Sequence, residues 1–246
     1  MLVFGKTYKY KMKGWEKMKV NNRHCSFYYE MDEDIGAIEI NKKKLALLII
    51  DMQNYFVKRP QVNTNNQKEV LNAENWEPFY KKIDEVVIPN NVKILEEFRK
   101  QGLLVSHARI TSQLSNGLDR SIDQKATGFN KLLLPKGEKE SEIIDELTPI
   151  KDEIVVMKTT DSALTGTNLR LALSNCGVDT VVVTGVFTDQ CVSGTVRSLA
   201  DESFNVWLIE DACMAGNEEI QNHELSVLNN IYCHVINTEE LLAALR

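Results

Sequence analysis

The chain has 246 residues, 43% hydrophobic and 26% charged, which suits one globular domain with a small addition and a packed core. A net charge of −6 and a pI near 5.4 leave no global basic field for nucleic acid or an anionic membrane surface. No apolar run approaches the roughly 20 residues of a membrane span, and the opening MLVFGKTYKYKMKGWEK lacks a signal core, so a cytoplasmic protein is expected.

The first 44 residues stand apart. They carry ten Lys or Arg against six Asp or Glu, a balance of +4 beside −10 for the remainder. KTYKYKMKGW alternates Tyr8, Tyr10 and Met12 with lysines, and CSFYYE and GAIEI read as further short strands. The expectation is a small β appendage over 1–44 with a solvated lysine face. Against an acidic remainder, a nucleic-acid patch is the weaker reading.

From residue 45 to 246 the pattern is strand alternating with helix. Strands are expected at 45–51 (LALLIID), 103–108 (LLVSHA), 153–157 (EIVVM), 180–184 (TVVVT), 205–210 (NVWLIE) and 232–236 (YCHVI). Their nearly continuous apolar runs fit strands covered on both faces. One helix is expected to open near Pro89, with Val92, Leu95 and Phe98 inward, and to stop at Gly102. A second carries Leu169, Ala172, Leu173 and Cys176 and stops at Gly177. A third, over 191–202, carries Val192, Val196 and Leu199; a fourth, over 217–230, carries Ile220, Val227 and Leu228. The units imply a three-layer, Rossmann-like α/β fold: a six-stranded parallel sheet with helices on both faces. The connections 52–88 and 110–150 are too long for turns and read as loops over the ligand-binding edge of the sheet.

Five scattered cysteines form no C-x-x-C pair and no zinc spacing, so four of them read as small buried hydrophobes. Cys191 is the exception. It opens a helix directly behind TVVVTGVFTDQ, while Asp51 ends one apolar strand and Lys158 ends another. If those three strands are neighbours, the side chains meet at one sheet edge. The aspartate then accepts the thiol proton, and the ammonium and helix N-terminus favour a thiolate nucleophile. Backbone N–H groups of the 186–191 turn are placed to receive an oxyanion. Each residue also has a plain structural reading, as a turn cap, a solvated lysine and a buried thiol. The three together carry the chemistry.

LLIIDMQNYF, KTTDSALTGTNL and VVVTGVFTDQCVSGTVRSLADESFNVWLIEDAC, in this order over 45–240, resemble the isochorismatase-like cysteine hydrolases. The resemblance implies a catalytic triad of Asp51, Lys158 and Cys191. It also implies a non-proline cis peptide at Val186-Phe187 and an oxyanion hole from the N–H groups of Phe187 and Cys191. It further implies cleavage of an amide or ureido C–N bond through an acyl-enzyme, and a homo-oligomer, dimer or tetramer. The chain departs from nicotinamidases of that family: His107 stands alone, with Arg109 where their metal cluster would stand, so neither a metal nor a cofactor is expected.

Substrate contacts are less determined. Arg109 offers a guanidinium to a carboxylate or ureido oxygen, or pairs with Asp119 or Asp123. Gln113, Asn116 and Arg120 share the long loop, and Tyr55, Phe56, Trp76, Phe129 and Phe187 are candidates for a pocket wall. Gln190 approaches the substrate or supports the turn. The reading is a metal-independent cysteine hydrolase of a small amide or urea. A nicotinamidase-like amidase of aromatic amides is the alternative, and a non-catalytic binding module with a vestigial triad is the third.

Overall fold

A computed structural model describes residues 17–18, 23–30 and 38–246. Strand β1 (Lys17–Met18) pairs antiparallel with β2 (Ile38–Glu39), the second of which falls within GAIEI. CSFYYE is not a strand: Phe27–Tyr29 forms a 3-10 turn, with Phe27 and Tyr28 exposed. Tyr8, Tyr10 and Met12 lie outside the described residues. The 23–30 segment is tied to the main body. Arg23 pairs with Glu210 and Glu240, His24 Nε2 lies 2.6 Å from Glu210 Oε2, and Asn229 Nδ2 donates to the His24 carbonyl at 2.8 Å.

The main body follows in chain order. β3 (Leu45–Ile50) leads to a short α1 (Asn54–Val57), then α2 (Gln67–Lys82), a π-helical turn at Ile83–Val87, and α3 (Ile88–Gln101). β4 (Leu104–Ile110), a short α4 (Ile122–Lys125), β5 (Ile154–Lys158), α5 (Leu169–Asn175) and β6 (Thr180–Val186) come next. A second π-helical turn, Thr188–Val192, runs into α6 (Ser193–Asp201). β7 (Asn205–Met214), α7 (Glu218–Leu228), β8 (His234–Ile236) and α8 (Thr238–Ala244) complete the chain.

The sheet has the order β5-β4-β3-β6-β7-β8 and is parallel throughout, as the apolar runs imply. Every residue of β3 and β6 is buried, because these central strands are covered on both faces. Each fully buried aliphatic side chain here contributes about 1.5–3 kcal/mol. Connections leave β3 in one direction and β6 in the other, and right-handed crossovers then put their helices on opposite faces. The reversal falls between β3 and β6, the switch point where open α/β sheets bind ligands at the strand C-termini.

The helices differ from expectation in instructive places. The connection 52–88 is largely helical, and α2, the π turn and α3 run on without a break through Pro78 and Pro89. Pro89 reads as a helix start, because it lacks an N–H. The wider π turn, in which Ile88 N–H bonds the Ile83 carbonyl, lets the helix pass that point. Gly102 ends α3 at φ 64°, where a glycine takes the left-handed cap without steric cost. In α7 the inward face is Gln221, Leu225 and Leu228, and Ile220 is exposed. Cys176 is exposed and Cys25 only partly buried, so the buried-thiol reading holds for Cys213 and Cys233 alone. No helix among the described residues is long and apolar enough to cross a membrane.

Candidate active site

Asp51, Lys158 and Cys191 converge at the C-terminal edge of the sheet, each nearly or fully buried. Lys158 Nζ donates to Asp51 Oδ2 at 2.7 Å, to Cys191 Sγ at 3.2 Å and to the Thr160 carbonyl at 3.2 Å. Three acceptors around one ammonium use all of its protons. Asp51 Oδ1 accepts the Ile110 N–H at 2.9 Å, a donor shared with Gln53 Oε1 at 2.8 Å. Gln53 in turn donates to the Ile110 and Ser141 carbonyls at 2.8 Å each, clamping the ends of β3 and β4.

Only β3 and β6 are neighbours. β5 lies one strand further out, so Lys158 reaches across the end of β4 to meet Asp51. Asp51 has φ 51°, a left-handed conformation uncommon for a non-glycine residue, which turns its carboxylate off the strand axis. Beside it, Gly185 has φ 115°. A Cβ there would stand 2.0 Å from the Ile50 carbonyl oxygen, so only glycine allows this approach of β6 to β3.

The Val186-Phe187 peptide is cis. Cys191 sits within the π turn rather than at the first residue of a regular α-helix, and the Gln190 and Val192 N–H groups both bond back to the Phe187 carbonyl. Thr195 Oγ1 donates to the Cys191 carbonyl at 2.7 Å and accepts the Ala163 N–H at 2.9 Å. That hydroxyl ties the loop after Lys158 to the helix carrying Cys191.

The electrostatics correct the expected resting thiolate. Burial and the Asp51 charge push the Cys191 thiol well above its ordinary range, and Lys158 offsets this only in part. Burial raises the Asp51 carboxyl as well, against the pull of Lys158, Cys191 and the Ile110 N–H. Burial by itself would lower Lys158, but the Asp51 charge and the hydrogen bonds to Asp51 and Cys191 outweigh it and raise the ammonium. The thiol therefore rests neutral, beside the Lys158 ammonium that bonds Asp51.

A cavity of about 230 Å³ opens over Cys191. Phe56, Phe187 and Gln190 line it, as the sequence suggests. Phe187 is the hub of an aromatic cluster, with ring centroids 5.2–6.0 Å from Phe56, Trp76, Phe79 and Phe129. Trp76 and Phe129 stack nearly parallel at 5.7 Å. Arg109 and Gln113 do not line the cavity. Arg109 turns to Glu142 and the Ser141 carbonyl, so its ion-pair partner is neither Asp119 nor Asp123. Gln113 Nε2 contacts Met157 Sδ at 3.7 Å, and Asn116 and Arg120 serve the loop's own backbone. Gln124, Asn130, Leu132 and Asp161 are lining residues that no motif singles out; the only signal for most of them was the length of the 110–150 connection. His107 is buried against Glu153, and no group of three or more His, Cys, Asp or Glu able to hold a metal occurs among the described residues.

Known proteins resemble this chain in sequence and in fold. The Isochorismatase domain family matches residues 45–240. An uncharacterized isochorismatase family protein of Bacillus subtilis, YrdC, is 28% identical over 212 residues, 82% of this chain and 96% of that protein. N-carbamoylsarcosine amidase of Arthrobacter sp is 32% identical over 125 residues, 49% of this chain and 46% of that protein. In fold, the chain resembles a cysteine hydrolase of Pseudomonas syringae pv. phaseolicola at a TM-score of 0.69 and 21% identity, covering 84% of this chain and 94% of that one. With the family match spanning most of the chain and the same sheet beneath it, this protein belongs to the isochorismatase family.

Proposed function

We propose that the protein is a cysteine hydrolase that cleaves a C–N bond of a small amide or ureido compound, with Cys191 as nucleophile, Asp51 as base and Lys158 as the charge that holds them. The observation that carries this reading is one ammonium touching both Asp51 Oδ2 and Cys191 Sγ beneath a cavity. The likeness to an amidase over half the chain supports the bond type.

In this mechanism the Cys191 thiol gives its proton to Asp51 as the sulfur attacks the substrate carbonyl carbon. Lys158 holds the developing thiolate and then the thioester sulfur. The oxyanion is received, as the family resemblance implies, by the N–H groups of Phe187 and Cys191; those of Gln190 and Val192 bond the Phe187 carbonyl instead. Collapse breaks the C–N bond, and the leaving ammonia or amine takes the proton from Asp51. Water then attacks the thioester, passes a proton back through Asp51, and the acid departs with the Cys191 thiol restored. A neutral resting thiol suits this order, because the proton moves only when a carbonyl is in reach.

An aromatic-amide substrate is the second reading, favoured by the ring cluster around Phe187. The Leu118, Ile122 and Phe129 side chains, exposed on the loop that walls the cavity, support a homo-oligomer that covers them.

The test is ammonia release from a panel of ureas, aliphatic amides and aromatic amides, with wild type beside Cys191→Ala. Release by wild type alone, with an acyl adduct on Cys191 in quenched intact-mass spectra, is expected. An active Cys191→Ala protein overturns the assignment, and the preferred arm of the panel decides between the two substrate readings.

A further inference from the structure

Gln124 is 3% exposed and lines the cavity, yet neither its amide oxygen nor its amide nitrogen has a hydrogen-bond partner among the described residues. Its backbone is held from three sides. The Gln124 N–H donates to Ser121 Oγ at 3.3 Å, and its carbonyl accepts from Arg120 Nη1 at 3.0 Å and from the Leu132 N–H at 3.2 Å. A buried carboxamide with both ends unpaired is unfavourable, and in folded proteins such groups are nearly always satisfied. A fixed backbone carrying an unsatisfied head group in the cavity that Cys191 lines is a preorganised binding group.

The charges around it narrow what can bind. The charged residues that line the cavity are Asp51, Asp123 and Asp161, all acidic. The nearby cations do not face it: Lys158 is bonded to Asp51, Cys191 and Thr160, and Arg109 does not line the cavity and pairs through Nη1 with Glu142 and Ser141. Arg120 donates to the carbonyls of Gly117, Gln124 and Leu132. A substrate carboxylate would enter without a counter-ion and face like charge.

We propose that Gln124 reads the substrate, its Oε1 accepting an N–H and its Nε2 donating to an acceptor of an uncharged or cationic amide or urea, while Asp123 and Asp161 turn carboxylates away. This rests on Cys191 lying in the substrate site, as assigned above. A carboxamide presents donor and acceptor side by side, matching the N–H and C=O of a planar amide. The selection is against charge, since an amide and a carboxylate have nearly the same shape.

Two small alkylating agents probe this without knowledge of the natural substrate. Iodoacetamide is a neutral amide and iodoacetate its carboxylate counterpart. With either, the sulfur forms an S–C bond as the C–I bond breaks, iodide leaves and the thiol proton passes to Asp51. Exposed Cys176 in the same molecule is the reference for intrinsic reactivity. Rates at both cysteines are followed by peptide mass spectrometry in the full-length protein. The iodoacetamide-to-iodoacetate ratio is expected to be at least about tenfold higher at Cys191 than at Cys176. Gln124→Leu and, separately, Gln124→Glu should slow iodoacetamide at Cys191 by about tenfold, the effect of losing one good hydrogen bond, with Cys176 unchanged. Because Cys191 Sγ also donates to Asp161 Oδ1 at 3.9 Å, Asp123→Asn with Asp161→Asn is read as a ratio, and it should lower the iodoacetamide-to-iodoacetate ratio at Cys191. Equal ratios at the two cysteines, no labelling of Cys191 by either reagent, or indifference to both Gln124 substitutions overturns the proposal. The two assignments fail separately. If Cys191→Ala still releases ammonia while the labelling preference holds, the nucleophile assignment falls and the recognition stands; the reverse pattern removes Gln124 alone.

Discussion

Lys158 Nζ lies 2.7 Å from Asp51 Oδ2 although β4 separates the strands that carry them. The end of β4 is itself part of the join. Ile110 is the register partner of Lys158, and its N–H donates to the other oxygen of Asp51. The carboxylate is thus held by one bond from a side chain two strands away and one from the backbone between them. This geometry makes Asp51 a buried charge that depends on a single counter-ion.

Removing that counter-ion should therefore cost more than removing the pair. Lys158→Met leaves Asp51 buried and unpaired and is expected to lose about 3–5 kcal/mol of stability. Asp51→Asn combined with Lys158→Met should regain most of it, because no charge then remains. Urea midpoints of the three proteins check this; a Lys158→Met protein as stable as wild type would count against a charged pair.

Burial raises the Asp51 carboxyl above its ordinary range, which places the acid limb of activity higher than for a solvated aspartate. As pH falls through that raised value, the carboxylate is protonated and can no longer take the thiol proton. For stability the sign is opposite. A group favoured in its protonated form by folding contributes fully below its unfolded value and loses that contribution as pH rises. Acidification should thus silence the enzyme without Asp51 contributing to any loss of fold. A profile of kcat/KM against pH, with far-UV circular dichroism at each point, tests whether activity falls on the acid side while the fold persists.

Gly185→Ala places a methyl group 2.0 Å from the Ile50 carbonyl oxygen, at a φ that alanine avoids. Both partners are central-strand backbone with no freedom to yield. A loss of about 2–4 kcal/mol is expected, by strain at a special φ and overpacking together. Because Ile50 precedes Asp51, kcat should fall in the folded fraction as well, and activity normalised to folded protein separates the effects.

Arg109 faces Glu142 and the Ser141 carbonyl, away from the cavity. Arg109→Met should leave KM for the best substrate within about twofold and cost at most about 1 kcal/mol, since Glu142 is half-exposed and solvent screens the pair. A KM raised tenfold or more would return Arg109 to the substrate site.

The apolar runs that became β3 and β6 were legible because burial on both faces leaves a local mark, a strand with no polar alternation, and the runs of β4, β5, β7 and β8 carry the same mark less completely toward the sheet edges. Gly102 and Gly177 marked helix ends for the same reason, since a left-handed cap is chosen by the residue itself. Other features depend on partners far away in the chain. Pro89 is a helix start by local rule, and only the wider turn at Ile83–Val87 lets the helix pass it. Cys191 reads locally as a thiol activated by a helix terminus and a lysine, yet depth of burial keeps it neutral.

What the amino-acid sequence determined by itself was the strand and helix order and the three polar residues that end or follow β3, β5 and β6. Each is specified by its immediate neighbours. What only the tertiary structure decided was how the 110–150 connection folds over those ends: it sends Arg109 to Glu142 and leaves Gln124 unpaired in the cavity wall. Loop side chains are placed by contacts remote in sequence, and no periodicity or turn preference encodes them.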